Sequence, residues 1–363
     1  STGLQAVKNW LAAVTSDAAT LTNATSTTTL DSLLSTVKNN VASTGSTFTL
    51  TYNTDKATAN IFEAGLVYTP GGNDRINALQ DEDVLTGSGT NPTLNASLGN
   101  ANDNGGTTIT PTLKGIETVN VAFTGSNGAV GGAVNSLDLQ DATGLKAVNI
   151  TRVSTTSNNA LVENMKQAVG TMSVANSNAN NAGNVEFSFA PGVLAGDNSA
   201  ALTLENVQIN TLAIGQNVAN AAAGVNTQGY EQLAIKSAGA ANSISTLQLP
   251  MDTGTNGKVT ITGDTNLTLA QTTNVVNNVG TVESKTYANG ILQAAGRLSA
   301  IDASEFTGNL TLNLGNGIFT TGKADTSGTV QNVTVTGGKG NDTFILQDTV
   351  QAGDSLTGGD GTD

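Results

Sequence analysis

The sequence has no cysteine and no histidine among its 363 residues. Ser-His-Asp and Cys-His nucleophilic systems are therefore impossible, and a zinc site of nitrogen or sulfur ligands has no donors. Disulfide staples are also excluded, so stability must come from packing, ladder hydrogen bonds or metals. Prolines number 5 and charged residues make up 12% of the chain, which is not the composition of a disordered polypeptide. Aromatic residues are 4% and hydrophobic residues 37%, too few for one thick globular core. Basic residues are scarce: 14 Lys and Arg face 28 Asp and Glu, for a net charge of −14. That balance excludes the basic stripes that nucleic-acid binding requires. It also makes the empty protein repel itself, a cost that bound cations would relieve. No apolar run approaches membrane-spanning length, so no membrane insertion is expected. Ser1 to Val14 lacks the basic and apolar regions of a signal peptide, and the sequence stops inside a motif. The expectation is an excised or processed piece of a longer protein.

What is abundant is glycine, at 42 residues, with Thr, Ser, Asn and Ala. Short β-branched runs separated by Gly, Asn and Asp suit short strands joined by tight turns. Phe48, Leu50 and Tyr52 alternate with threonines, the period of a half-buried strand. Similar runs follow at Glu117–Phe123, Lys146–Thr151, Val185–Phe189, Val207–Ile214, Gln232–Ile235, Lys258–Thr262, Leu310–Leu314 and Val330–Val335. Most recur at roughly 20–30 residues, the spacing of stacked coils. The expected fold is mainly β, a β-solenoid or β-helix-like array with Asn, Thr and small residues stacked in ladders. A small helical segment, 1–45, precedes it. There Leu4, Val7, Leu11 and Val14, then Leu30, Leu33, Leu34, Val37 and Val41, follow helical spacing across a Ser/Thr-rich linker from Ser16 to Thr29. Linker hydroxyls are expected to cap the second helix, and the apolar faces to pack on each other or on the first strands.

Two internal repeats support coiling. One is Gly115-Ile116-Glu117 before a strand, matched by Gly229-Tyr230-Glu231 and more loosely by Gly183-Asn184-Val185-Glu186. The other is an Asp-Ala-Thr/Ser turn, at Asp141-Ala142-Thr143-Gly144 and at Asp302-Ala303-Ser304.

The chemistry lies at the end of the chain. Gly337-Gly338-Lys339-Gly340-Asn341-Asp342-Thr343-Phe344-Ile345 fits G-G-x-G-x-D-x-U-x at every specified position. The glycines permit backbone conformations that aim several carbonyls at one point, and the aspartate adds a carboxylate. These are the hard oxygen donors that calcium prefers. One turn supplies half a cage, so a neighbouring turn must supply the rest. Asp354-Ser355-Leu356-Thr357 closes a second nonapeptide, and Gly358-Gly359-Asp360-Gly361-Thr362-Asp363 opens a third. Asp354 and Asp363 are nine apart, whereas Asp342 and Asp354 are twelve apart, an insertion of three. A degenerate pair occupies 71–90: Gly72-Asn73-Asp74 is followed nine residues later by Asp83, with Asp81 in a glycine place. A solvated acidic loop explains Asp74, Asp81, Glu82 and Asp83 equally well.

These motifs resemble the RTX class of type I-secreted proteins. The order of Gly72-Asn73-Asp74, Asp83-Val84-Leu85-Thr86-Gly87, Leu113 to Val121 and Asp302-Ala303-Ser304 narrows the resemblance to RTX-type bacterial surface-layer (S-layer) proteins. The resemblance implies a β-solenoid at 46–336, the beginning of an RTX array at 337–363, calcium-triggered ordering outside the cell, and assembly into a two-dimensional lattice. It implies as ligands the carboxylates of Asp342, Asp354 and Asp363 with carbonyls of Gly337, Gly338, Lys339 and Gly340 and of Gly358, Gly359, Asp360 and Gly361, and lesser sites at Asp74, Asp81 and Asp83. The partners implied are other copies of the chain, and a cell-surface glycan held through regions outside this sequence. The C-terminal secretion signal of the class is absent here.

Two alternatives fit the same sequence. A calcium-dependent RTX adhesin would bind a glycan, a surface or ice through threonine faces such as Thr260-Ile261-Thr262 and Thr334-Val335-Thr336, but no fixed Thr-x-Thr period runs through the chain. A polysaccharide-active β-helix enzyme would need a basic residue beside carboxylates, and Arg75, Arg152 and Arg297 sit beside no such cluster. The reading is non-catalytic.

Overall fold

Strands that alternate β-branched and polar residues bury one face each, and here those faces close on one another as the chain coils. The protein is described by a computed structural model covering residues 2–34, 45–72, 75–99, 108–124, 135–153, 159–178, 183–216, 228–250, 256–276, 282–288, 290–292, 297–314, 332–346, 350 and 352–363. One wall of parallel strands runs from Thr47–Thr49 and Ile61–Ala64 through Thr93–Leu98, Thr118–Phe123, Ala147–Val153 and Thr171–Asn178 to the start of Ser199–Gln216. It continues through Gln232–Ala238, Asn256–Gly263, Arg297–Asp302, Thr334–Thr336 and Ser355–Thr357. A second wall stacks Asn135–Asp138, Asn159–Met165, Asn184–Phe189 and the end of Ser199–Gln216. Asn242–Gln248, Leu267–Leu269, Leu310–Asn313 and Thr343–Ile345 extend it. Ser199–Gln216 turns the corner and belongs to both walls, so the two form one 21-stranded sheet. Lys56–Ala59, Val84–Gly87 and Thr112–Lys114 make a short third wall. The architecture is the expected mainly β, solenoid-like stack of parallel strands. Two antiparallel hairpins interrupt it, Leu66–Tyr68 with Arg75–Asn77 and Gln271–Val276 with Val282–Ala288.

In-register stacking turns one inward position per coil into an apolar column. Phe62, Leu94, Val119, Val148, Met172, Leu202, Ile235 and Ile261 lie on successive rungs, and all are fully buried. The core is thus long and thin, which reconciles few hydrophobic residues with many buried ones. On the outward side the same register builds polar columns. Asn149 Nδ2 donates to Asn120 Oδ1 at 2.8 Å, and Asn120 Nδ2 donates to Asn95 Oδ1 at 2.8 Å. Asn95 Nδ2 in turn donates to Glu63 Oε1 at 2.7 Å. These partners are 25 to 32 residues apart in sequence, which is the coil length measured directly. A second column links Asn159, Asn184 and Asn210.

The repeats divide by corner. Gly115-Ile116-Glu117 and Gly229-Tyr230-Glu231 both lead into strands of the first wall, with Ile116 and Tyr230 buried at the bend. The Tyr230 hydroxyl donates to Val169 O at 2.8 Å and accepts from Val169 N at 3.0 Å, which fixes the bend to an earlier coil. Gly183-Asn184-Val185-Glu186 instead enters the second wall. The two Asp-Ala-Thr/Ser turns also sit at different corners: 141–144 leads to Ala147–Val153 of the first wall, whereas 302–304 leads to Leu310–Asn313 of the second. Asp302 closes its turn on its own backbone, its Oδ1 accepting from Ser304 N at 3.2 Å, whereas at the other turn it is the Asp141 backbone O that accepts, from Leu113 N at 3.1 Å, so sequence likeness did not imply an equivalent place in the coil.

At the start, Thr2–Ala12 is helical, and the Ser/Thr linker is not a loop but holds a further helix, Ala18–Ala24. Asp17 caps it by accepting from Ala19 N at 2.9 Å. Residues 27–34 are again helical, and Ser26 Oγ accepts from Thr29 N at 3.2 Å, the expected hydroxyl cap. The expected packing of apolar faces is not found for Val7, Leu11, Leu30 and Leu34, which are exposed. The first helices touch through Trp10 Nε1, which donates to Ala24 O at 3.0 Å. Val37 and Val41 lie outside the described residues.

Candidate metal centre

The C-terminal glycine turns bridge the two walls. Thr334–Thr336 leaves the first wall, Gly337 to Asn341 make the turn, and Asp342 opens Thr343–Ile345 in the second wall. One coil later, Ser355–Thr357 leads into Gly358–Gly361 and Asp363. The two turns stack: Gly337 N donates to Thr357 O at 2.8 Å and Asp360 N to Gly338 O at 2.9 Å. Beneath them lies the turn at 303–309, since Lys339 N donates to Phe306 O at 2.8 Å. Glycine is required for this closeness. A Cβ at Gly337 would collide with Gly358 O, one at Gly359 with Gly338 O, and one at Gly361 with Gly340 O. Gly359 and Gly361 also hold φ of 106° and 113°, a region that penalises any side chain.

Each aspartate ties its turn to the preceding coil. Asp342 is buried, with Oδ1 accepting from Leu310 N at 2.8 Å and Oδ2 from Gly338 N at 2.6 Å. Asp363 Oδ1 accepts from Asp342 N at 2.8 Å. Asp342 and Asp363 therefore stand one above the other, 21 residues apart. Asp354 is not with them. It precedes Ser355–Thr357 on the opposite corner, where its Oδ1 accepts from Val333 N at 2.8 Å. Two nonapeptides make one coil, so alternate aspartates share a side.

Calcium is the group the motif implies, and the residues here fit it. Carboxylate and carbonyl oxygens are the donors, without nitrogen or sulfur. Gly358 O and Asp342 Oδ2 crowd the same face of Gly337, and Asp363 Oδ2 crowds Gly358 in the same way one coil later. Among the described residues no three Asp or Glu side chains cluster closely enough to hold a metal by themselves. An ion in these turns would rest largely on backbone carbonyls. The stretch 337–363 carries five aspartates and one lysine, which favours a cation, and Lys339 Nζ lies 3.6 Å from Glu305.

Comparison of the chain with protein-family models, with curated proteins and with solved structures returns no match.

The degenerate N-terminal region is built differently. Asp74 lies outside the described residues. Asp83 is fully buried, with Oδ1 accepting from Asp55 N at 2.7 Å and Oδ2 from Gln80 N at 2.8 Å. Burial raises its pKa above the ordinary carboxylate value, against the lowering effect of those two bonds. Asp81 is exposed and accepts from Thr110 N at 2.8 Å, toward the next coil. Asp55 escaped the sequence reading, although it extends the column: Thr51 N donates to its Oδ2 at 2.7 Å. An asparagine column beside the glycine turns was also missed. Asn266 Oδ1 accepts from Asn309 N, Asn309 Oδ1 from Asn341 N, and Asn341 Oδ1 from Thr362 N, at 2.8 to 2.9 Å. The available signal was an Asn one or two residues before Leu267–Leu269, Leu310–Asn313 and Thr343–Ile345, at spacings too irregular to align.

Proposed function

We propose that this chain is a non-catalytic, self-assembling structural protein of a bacterial surface layer, exported from the cell, whose outer turns take up calcium. The observation that carries the reading is the stack of two glycine turns with Asp342 and Asp363 in register. Gly337, Gly338, Lys339 and Gly340 with Gly358, Gly359, Asp360 and Gly361 offer carbonyls, and the two aspartates offer carboxylates. Asp354 would serve the opposite edge of the same array. Cation uptake lowers the net charge of −14 and so relieves the repulsion that keeps copies apart. The long regular walls suit repetition in a sheet of identical subunits.

The test is calcium titration of the chelator-treated chain, followed by circular dichroism, sedimentation and electron microscopy. The expected result is a gain in β signal and ordered sheets at millimolar calcium. An unchanged monomer and spectrum in calcium and in excess chelator alike would overturn the calcium part. Dispersed rods in calcium would overturn the lattice.

A further inference from the structure

Two of the three arginines in the chain line one cleft, although they are 77 positions apart in sequence. Leu66 and Arg75 come from the antiparallel hairpin; Ser97, Thr124 and Arg152 come from the corner of the first wall. The cleft is open to solvent and offers about 360 Å³, within the range of roughly 300–1,000 Å³ typical of small-molecule sites. No carboxylate is among its described lining residues, and among the described residues neither guanidinium forms an ion pair or hydrogen bond. In a chain with twice as many acids as bases, two arginines on one cleft with no carboxylate partner among the described residues are unexpected.

Arg152 is aimed there by a register shift. Val148 and Ile150 are buried, so strict alternation would turn residue 152 inward. Instead the register slips between Val121 and Ala122, Thr151 and Arg152 are both exposed, and Val153 returns to the core. A bulge of this kind re-aims a side chain. The next two coils place Asn176 and Asn206 at the same corner, both at positive φ, with Asn206 Nδ2 donating to Asn176 Oδ1 at 3.2 Å. An asparagine at 152 would have continued that column. On the other side the arginine stacks over Ala122 and Ser97, small residues that leave open space beside it. Column stacking therefore does not account for Arg152.

We propose that this cleft binds the carboxylate of an acidic sugar. A guanidinium recognises a planar oxyanion through forked hydrogen bonds, and this cleft is lined by two. The hydroxyls of Ser97 and Thr124 and the apolar Leu66 suit the mixed surface of a sugar ring, and the space exceeds what a lone inorganic anion fills. The inference does not depend on calcium in the glycine turns.

The test is calorimetry of the full chain with digalacturonate, with its methyl ester as the uncharged equivalent, and with inorganic sulfate as competitor. The expected result is binding of digalacturonate that weakens at least tenfold in Arg152→Ala and in Arg75→Ala, less in the lysine variants, and not at all in Arg297→Ala. The ester should not bind, and sulfate should displace only weakly. Absence of binding, equal binding of the ester, full displacement by dilute sulfate, or unchanged affinity in both alanine variants would each overturn the proposal. So would loss of self-association in Arg152→Ala without an effect on digalacturonate, since a second copy's carboxylate would then be the occupant.

Discussion

The Asp302 carboxylate accepts from Lys258 Nζ at 2.9 Å and from Ser304 Oγ at 2.7 Å, and these bonds hold its pKa down to about 2 from an ordinary 3.8. A depressed folded-state pKa contributes stability that is complete above the unfolded value and is lost as pH falls toward the folded one. Between about pH 4 and pH 2 the wild type should therefore lose stability that Asp302→Asn does not lose. Denaturant titrations across that window check it. The pair is partly exposed, so the difference should stay below about 1 kcal/mol. Glycines offer a sharper contrast. Gly359→Ala puts a side chain at φ 106° and against Gly338 O, and should destabilise the last coils by about 1–3 kcal/mol from the backbone conformation alone. Gly170→Ala meets open space and should change stability by less than about 0.5 kcal/mol. Limited proteolysis with thermal unfolding distinguishes the two. The glycine motif was readable in the sequence because its backbone demands leave few residue choices. The role of Asp83 was not, since a buried carboxylate bonded to two backbone N–H groups looks in sequence like any acidic loop.

At the scale of the element, polar columns act as register pins. Asn149 donates to Asn120 and accepts from Ser173 Oγ at 2.8 Å. Asn149→Ala leaves Asn120 without its donor and Ser173 without its acceptor, and should cost about 1–2 kcal/mol in urea unfolding. Asn149→Asp should cost more, because a carboxylate would face Asn120 Oδ1 while the Asn120 amide is held by Asn95. The reverse order of the two variants would show that the column does not carry register. The strands themselves were legible where β-branched residues alternate, as in Thr118–Phe123 and Asn256–Gly263. Thr171–Asn178 and Asn159–Met165 were passed over, because bulges and left-handed asparagines at 164 and 176 break the period of two. The helical start was legible as helix through its apolar spacing, yet spacing alone did not tell whether the apolar face would find a partner.

For the whole molecule, stacked coils contact mainly their neighbours, so stability is close to a sum of coil and interface terms. If calcium occupies the glycine turns, hydrogen exchange should slow at Thr343–Ile345 and Ser355–Thr357 when the ion is added. Mid-array strands such as Ala147–Val153, several coils away, should be unaffected. Uniform slowing along the array would instead point to a global change in assembly. The sequence by itself determined that this would be a mainly β stack of short strands. Its inward β-branched period, its turn residues and its lack of cysteine and histidine leave parallel coiling and ladder bonding as the way to bury a thin core. It determined the donor chemistry of the glycine turns for the same local reason. Only the tertiary structure decided which residues meet. Coil length varies from turn to turn, and bulges shift the register, so distance along the chain does not give the stacking. That is why Asp342 meets Asp363 rather than Asp354, and why Arg75 and Arg152 share a cleft.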